Sequence, residues 1–322
     1  MSDSLSFAQL VRTLGRGRKG SRSLTRDEAC FAMEEIWADR ETPAQLGALL
    51  MLMRVKEETP DELAGMLSAA RNAQPTWQGR TIRIDWPAYA GKRRQPSWYV
   101  LAAWALARGG YPVLMHGGGE HTAGRQYARQ ACEALGIAVA HNWQQAQELS
   151  LTEPMVYCAL DSFAPKLSHI IDMKAELGLR SPINTLVRHL NPAEAEITLQ
   201  GMFHRPYQAI HHETARALGD TRNVVLKGDS GEFEVRPDAD QSVLMLSPHQ
   251  GEEVAVPRVL AKRAIRPPEP DLQSLIDTWS GQQQPSYGLT AIQETMALVL
   301  MLTDELDLPQ ARKRADDIWH AR

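Results

Sequence analysis

The chain has 322 residues, 43% of them hydrophobic and 23% charged, with a formal net charge of −4. This length supports a large buried core and allows two domains. The mild negative charge excludes a uniformly basic polyanion binder. The three cysteines, Cys30, Cys132 and Cys158, form no CxxC pair, and MSDSLSF carries no apolar leader. The apolar runs are too short for a membrane span, so a cytoplasmic protein with no membrane partner is expected.

The first seventy residues read as helices. Thr25, Thr42 and Thr59 are each followed three residues later by Glu28, Gln45 or Glu62, the spacing of a capping box. Pro43 and Pro60 stand at first helical positions. AQLGALLMLMRV is apolar nearly all round, which predicts a helix buried in a core or a subunit interface. The segment GRGRKGSRS (15–23) interrupts this region as a basic, glycine-spaced loop. From about residue 80 the pattern alternates. Strands are expected at TIRID, YPVLMH, IAVAH, PMVYCAL, ITLQGMF and NVVLKG. Helices are expected at WYVLAAWALARGG, at GRQYARQACEALG and through HETARAL. Such alternation predicts a mostly parallel sheet covered on both faces. Beyond Asp271 the chain reads as helical again.

Charge is segregated. Arg12 to Arg26 holds six basic residues and no acid, whereas Asp27 to Glu62 holds ten acids and three bases. Trp86 to Gly119 has no acid and contains Lys92, Arg93 and Arg94 in a row. Val254 to Pro268 carries Arg258, Lys262, Arg263 and Arg266 unopposed. Segregated patches can present a positive groove on an acidic protein, or they can be separate solvated faces. The histidines His204, His211 and His212 have no HExxH partner, so no metal is expected. Beside the basic run, Trp86 and Tyr89 are candidates for stacking on bases.

The stretch TPAQLGALLMLMRVKEETPDELAGMLSAAR (42–71) resembles the N-terminal helical domain of anthranilate phosphoribosyltransferases, including their LxxLRxKGET turn. The resemblance continues through YPVLMHG, FAPK (163–166) and LGLRSPINTLVRHLNP (177–192) and covers nearly the whole chain. It implies an α/β protein with a small all-helical domain beside a larger α/β domain with a mostly parallel sheet. The helical domain would take residues 1–74, completed by about 167–192. The α/β domain would take 75–166 and 193–322. It also implies a homodimer formed through the helical domain.

The departures bear on function. The family's diphosphate-binding GTGGD falls on Pro87 to Gly91, where proline removes a donor and Tyr89 fills space. In the family's HGNR, His116 and Gly117 remain, but Gly118 and Gly119 follow. The family's GPL becomes Val187-Arg188-His189, and no adjacent acidic pair stands where magnesium is held. Transfer of a phosphoribosyl group requires a cradle of N–H groups and Mg²⁺. Arginine and lysine can hold phosphate without metal. The pattern resembles a divergent, nucleic-acid-binding, YbiB-like branch of the family. The resemblance implies a non-catalytic homodimer that binds DNA or RNA with little sequence preference, with no catalytic residue, metal or cofactor. The phosphate-binding candidates are Lys92, Arg93, Arg94, Arg16, Arg18, Lys19, Arg22, Lys166, Arg180, Arg188, His116 and Gly117. The alternative is a phosphoribosyltransferase with an altered acceptor.

Overall fold

The computed structural model describes residues 5–17, 19–120, 122–248, 252–265 and 267–322. Four helices come first: α1 (Phe7–Gly15), α2 (Arg26–Trp37), α3 (Pro43–Lys56) and α4 (Pro60–Ala73). The three expected capping boxes form at Thr25, Thr42 and Thr59, each satisfying two N–H groups that a helix start otherwise leaves open. Glu62 also accepts from the Leu24 N–H at 2.8 Å, which fastens the start of α4 to the chain entering α2. These two helices approach closely at Gly65, where any Cβ would lie 2.1 Å from the Arg26 carbonyl oxygen.

The alternating region begins with β1 (Ile84–Ala88), α5 (Trp98–Arg108), β2 (Val113–Gly117), α6 (Ala128–Leu135), β3 (Ala138–Ala140), α7 (Trp143–Ser150) and β4 (Met155–Ala159). Three short helices follow, α8 (Pro165–Asp172), α9 (Lys174–Leu177) and α10 (Ile183–Leu186). The sheet resumes with β5 (Ile197–Met202), α11 (Tyr207–Leu218), β6 (Asn223–Lys227), β7 (Gln241–Leu246) and β8 (Glu253–Val256). The chain continues through α12 (Leu272–Trp279), α13 (Ser286–Thr303) and α14 (Leu308–Ala321).

The strand order is β3-β4-β2-β1-β5-β6-β7-β8, parallel through β6 and antiparallel at β7 and β8. One face is covered by α5, α6, α12, α13 and α14. The other joins the N-terminal helices and α8 in a second apolar core. Beside the expected elements the structure adds the helix α7 and the antiparallel strands β7 and β8, none of which the sequence reading placed. The first strand begins at Ile84 and runs on through Pro87, later than TIRID suggests. Likewise α6 begins at Ala128, because the preceding residues turn through Gly124 at φ +70° and pair Gln126 with Lys92.

From β1 the chain moves outward to β2, then returns to the opposite side of β1 with β5. That reversal is a topological switch point, where open α/β sheets leave a crevice at the carboxyl ends of the strands. Pairing of β1 with β5 stops at Asp85 and Thr198, two residues before Pro87, and the strands part toward their carboxyl ends.

Candidate nucleic-acid interface

A cleft opens at this switch point. Arg54 of α3 lines it on one side, and Arg180, Ser181 and Asn184 line another. Tyr89 and Ala90 after β1, Met202 at the end of β5 with Phe203 and His204 beyond it, Tyr207 of α11 and Arg188 also line the walls. Arg54 is oriented by its bond to the Tyr207 hydroxyl at 2.8 Å. Arg188 is buried and donates to the Gly201 and Gly231 carbonyls at 2.9 and 3.3 Å, so it is fixed to the cleft floor. Arg125 donates to the Ala90 carbonyl at 2.7 Å. Partial burial lowers the proton affinity of Arg180, and the neighbouring charges of Arg125 and Arg54 lower it further. Burial lowers that of Arg188 too, against the pull of Glu232. Guanidinium groups keep their charge through such shifts. The cleft thus gathers like charges, an arrangement that a bound anion relieves.

The loop that leaves β1 is filled from within. The N–H groups of Ala90 and Gly91 both donate to Glu232 Oε1, at 2.8 and 2.5 Å. Glu232 is wholly buried. Burial raises its pKa, while Arg188 and these two N–H groups hold it down. The donors that a Gly-rich loop would aim at a diphosphate therefore already hold a carboxylate of the chain itself.

Lys92, expected at the cleft rim, is instead fully buried. Its ammonium lies 2.7 Å from Asp229 and 2.5 Å from Glu234. The acid-free stretch around it concealed this, because both partners lie far along the chain. Burial raises Glu234 to about 7 against the pull of Lys92. Arg93 and Arg94 do face solvent and form no ion pair with described residues.

The remaining candidates divide. Arg180 and Arg188 line the cleft together. Lys166 is engaged elsewhere: its ammonium binds the Ile36 and Trp37 carbonyls at the end of α2, and Asp39 at 2.7 Å. A cation at a helix C-terminus meets the last carbonyls and the negative end of the dipole. His116 is buried, with Nδ1 2.7 Å from the Tyr89 hydroxyl and Nε2 3.1 Å from Asp85, so both ring nitrogens face groups of the chain itself. Gly117 is buried too. A Cβ there would lie 2.4 Å from the Ala88 carbonyl oxygen, so the glycine serves strand packing. The loop beyond it, Gly118 to Glu120, opens on a separate cleft with Glu133, Asp161 and Asp172, a setting that repels anions. Arg16 and Lys19 are exposed, whereas Arg22 is held by Glu28 at 2.6 Å. Arg18 lies outside the described residues. The proposed stacking rings are also covered. Trp86 is fully buried edge-on to Phe233, and Tyr89 is 5% exposed. The accessible ring is Phe203, 58% exposed at the cleft mouth.

Arg54 and Phe203 were missed as site residues. Arg54 had a signal in the MLMRVKEET motif. Phe203 had none, since its place depends on where β5 ends.

Residues 8–73 match the helical bundle domain of the glycosyl transferase family. Anthranilate phosphoribosyltransferase of Methylocella silvestris is 30% identical over 241 residues, covering 72% of this chain and 66% of that enzyme. The chain is a YbiB-like member of the anthranilate phosphoribosyltransferase family. The uncharacterized protein YbiB of Escherichia coli is 27% identical over 242 residues, covering 72% of this chain and 74% of YbiB. The crystal structure of anthranilate phosphoribosyltransferase from Thermus thermophilus superposes with a TM-score of 0.79 at 22% identity, covering 96% of this chain and 94% of that one. That likeness establishes the fold, a helical bundle beside an α/β domain with a mostly parallel sheet. No helix of the described residues is long and apolar enough to cross a membrane.

Proposed function

We propose that the protein is a non-catalytic binder of the DNA or RNA phosphate backbone, with little sequence preference. The observation that carries this reading is the engagement of the Ala90 and Gly91 N–H groups by Glu232, beside a cleft that keeps Arg54, Arg180 and Arg188. An internal carboxylate excludes diphosphate from the old cradle, while the arginines outside it can still take phosphates singly. The exposed Arg93, Arg94, Arg16 and Lys19 add positive field around the cleft and contribute mostly to encounter and salt dependence.

Homodimer formation belongs to the same proposal. On α3, Leu46, Leu49, Leu50 and Met53 are buried, but Gly47, Ala48, Met51 and Leu52 are only partly covered and Val55 is 79% exposed. A second copy would cover that side of the helix.

The test compares a single-stranded oligonucleotide with phosphoribosyl diphosphate plus Mg²⁺ in thermal shift and turnover assays. The binder reading expects stabilisation by the first only. Mg²⁺-dependent turnover with any acceptor would instead establish the transferase reading. In anisotropy titrations across salt, Arg54→Ala with Arg180→Ala should flatten the salt slope by about 1.4, at 0.7 per phosphate contact on a single strand. The Lys313→Ala control on α14 should leave it unchanged.

A further inference from the structure

The basic stretch after Val254 is not part of the cleft, yet the sheet register brings it to the same edge. Met202 at the end of β5 pairs with Lys227 at the end of β6. The antiparallel β7 starts at that edge, where Gln241 donates to the Lys227 carbonyl at 2.9 Å. Gln241 in turn pairs with Val256, the last residue of β8. The segment leaving β8 therefore emerges on the edge where the cleft opens.

This segment is fastened by its backbone. Arg258 N–H donates to Asp240 at 3.0 Å, Val259 and Leu260 N–H groups donate to the Pro237 carbonyl at 2.9 Å, and Ala264 N–H donates to Asp238 at 3.2 Å. The two acids nearest the segment thus serve its main chain. Asp238 is buried, with Arg236 3.8 Å away, and Asp240 is exposed. The side chains of Arg258, Lys262 and Arg263 are exposed and make no ion pair with described residues, and the same holds for Lys227. Phe203 lines the cleft and directly follows Met202, the strand partner of Lys227, and it is 58% exposed with its ring edge-on to His204.

We propose that a single strand held in the cleft continues over this edge, its phosphates passing Lys227 to reach Arg258, Lys262 and Arg263. The inference rests on the nucleic-acid reading above and adds a second binding segment to it. From β5 to β8 is three strand spacings, about 14 Å. That distance accommodates about four phosphates at the roughly 3.4 Å rise of a stacked strand. Phe203 offers a stacking platform at the point where the strand leaves the cleft, and stacking accepts any base.

The experiment measures anisotropy of oligothymidylates of about four and about fifteen nucleotides, between roughly 50 and 200 mM salt. It compares the intact protein with the triple variant Arg258→Ala, Lys262→Ala, Arg263→Ala, whose fold is checked by circular dichroism. The short oligomer fills the cleft alone, so its affinity should stay within about twofold. The long oligomer should lose about tenfold or more, and its salt slope should flatten by about 2, for three contacts at 0.7 each. If the long oligomer binds the intact protein and the triple variant equally, the edge track is overturned and the cleft reading stands. Equal weakening for both lengths also overturns it, because the effect would then be general field rather than a separate segment. If the intact protein binds neither oligomer, the cleft reading falls and the track falls with it.

Discussion

Replacing Lys92 by methionine should unfold the protein far more readily than any change at its two basic neighbours. The Lys92 ammonium is fully buried between Asp229 and Glu234, at 2.7 and 2.5 Å. Glu234 is itself wholly buried and also accepts from the Tyr99 N–H at 2.9 Å, which ties this cluster to the start of α5. Methionine keeps most of the side-chain length but removes the charge, leaving two buried acids facing each other. Removing one partner of a buried pair costs about 3–5 kcal/mol. Arg93→Ala and Arg94→Ala, both exposed, should stay within about 0.5 kcal/mol. The assay is urea unfolding at pH 8 and at pH 5.5. Glu234 already sits near 7 in the folded protein, above the ordinary 4.5. Without Lys92 it rises further, so the folded variant binds a proton that the unfolded chain does not. Stability linked to that proton increases as pH falls, and the deficit of the variant should shrink at pH 5.5. A deficit below about 1 kcal/mol at pH 8, or one equal at both pH values, would refute the buried-pair reasoning.

Glu57 occupies φ +62° just after α3, where the family motif has glycine. Strain of this kind costs about 1–3 kcal/mol. Glu57→Gly should therefore raise stability by about 1 kcal/mol in urea unfolding, after the larger entropy loss of glycine. Thr59→Ala removes the acceptor for the Glu62 N–H and should lower stability by about 1 kcal/mol, measured the same way. His189 and His211 are buried in contact, Nε2 to Nδ1 at 2.7 Å, and burial lowers His211 to about 3 and His189 well below its usual range. The unfolded chain takes up these protons from about pH 6.5 downward while the folded one resists, so stability should fall as pH drops from 6.5 toward 3. His211→Gln should flatten that acid slope by about one proton, roughly 1.4 kcal/mol per pH unit, in denaturant titrations between pH 6 and 4.

The sequence by itself determined the elements whose causes are local. The Thr-x-x-Glu/Gln spacings predicted three helix starts, and each forms, because a capping box is made within four residues. Apolar periodicity likewise located most strands and the long helices, since burial of one face is written into every second or every third to fourth residue. The tertiary structure alone decided which charges are available. Lys92, Arg93 and Arg94 are alike in sequence, yet the first is sealed by acids 137 and 142 residues away while the others face solvent. Glu232 gave no sign that it would occupy a loop 141 residues upstream. Chain folding sets such pairings by bringing β1, β5 and β6 together, and a charged group responds to whatever shares its few ångströms of low-dielectric space, wherever in the chain that partner lies.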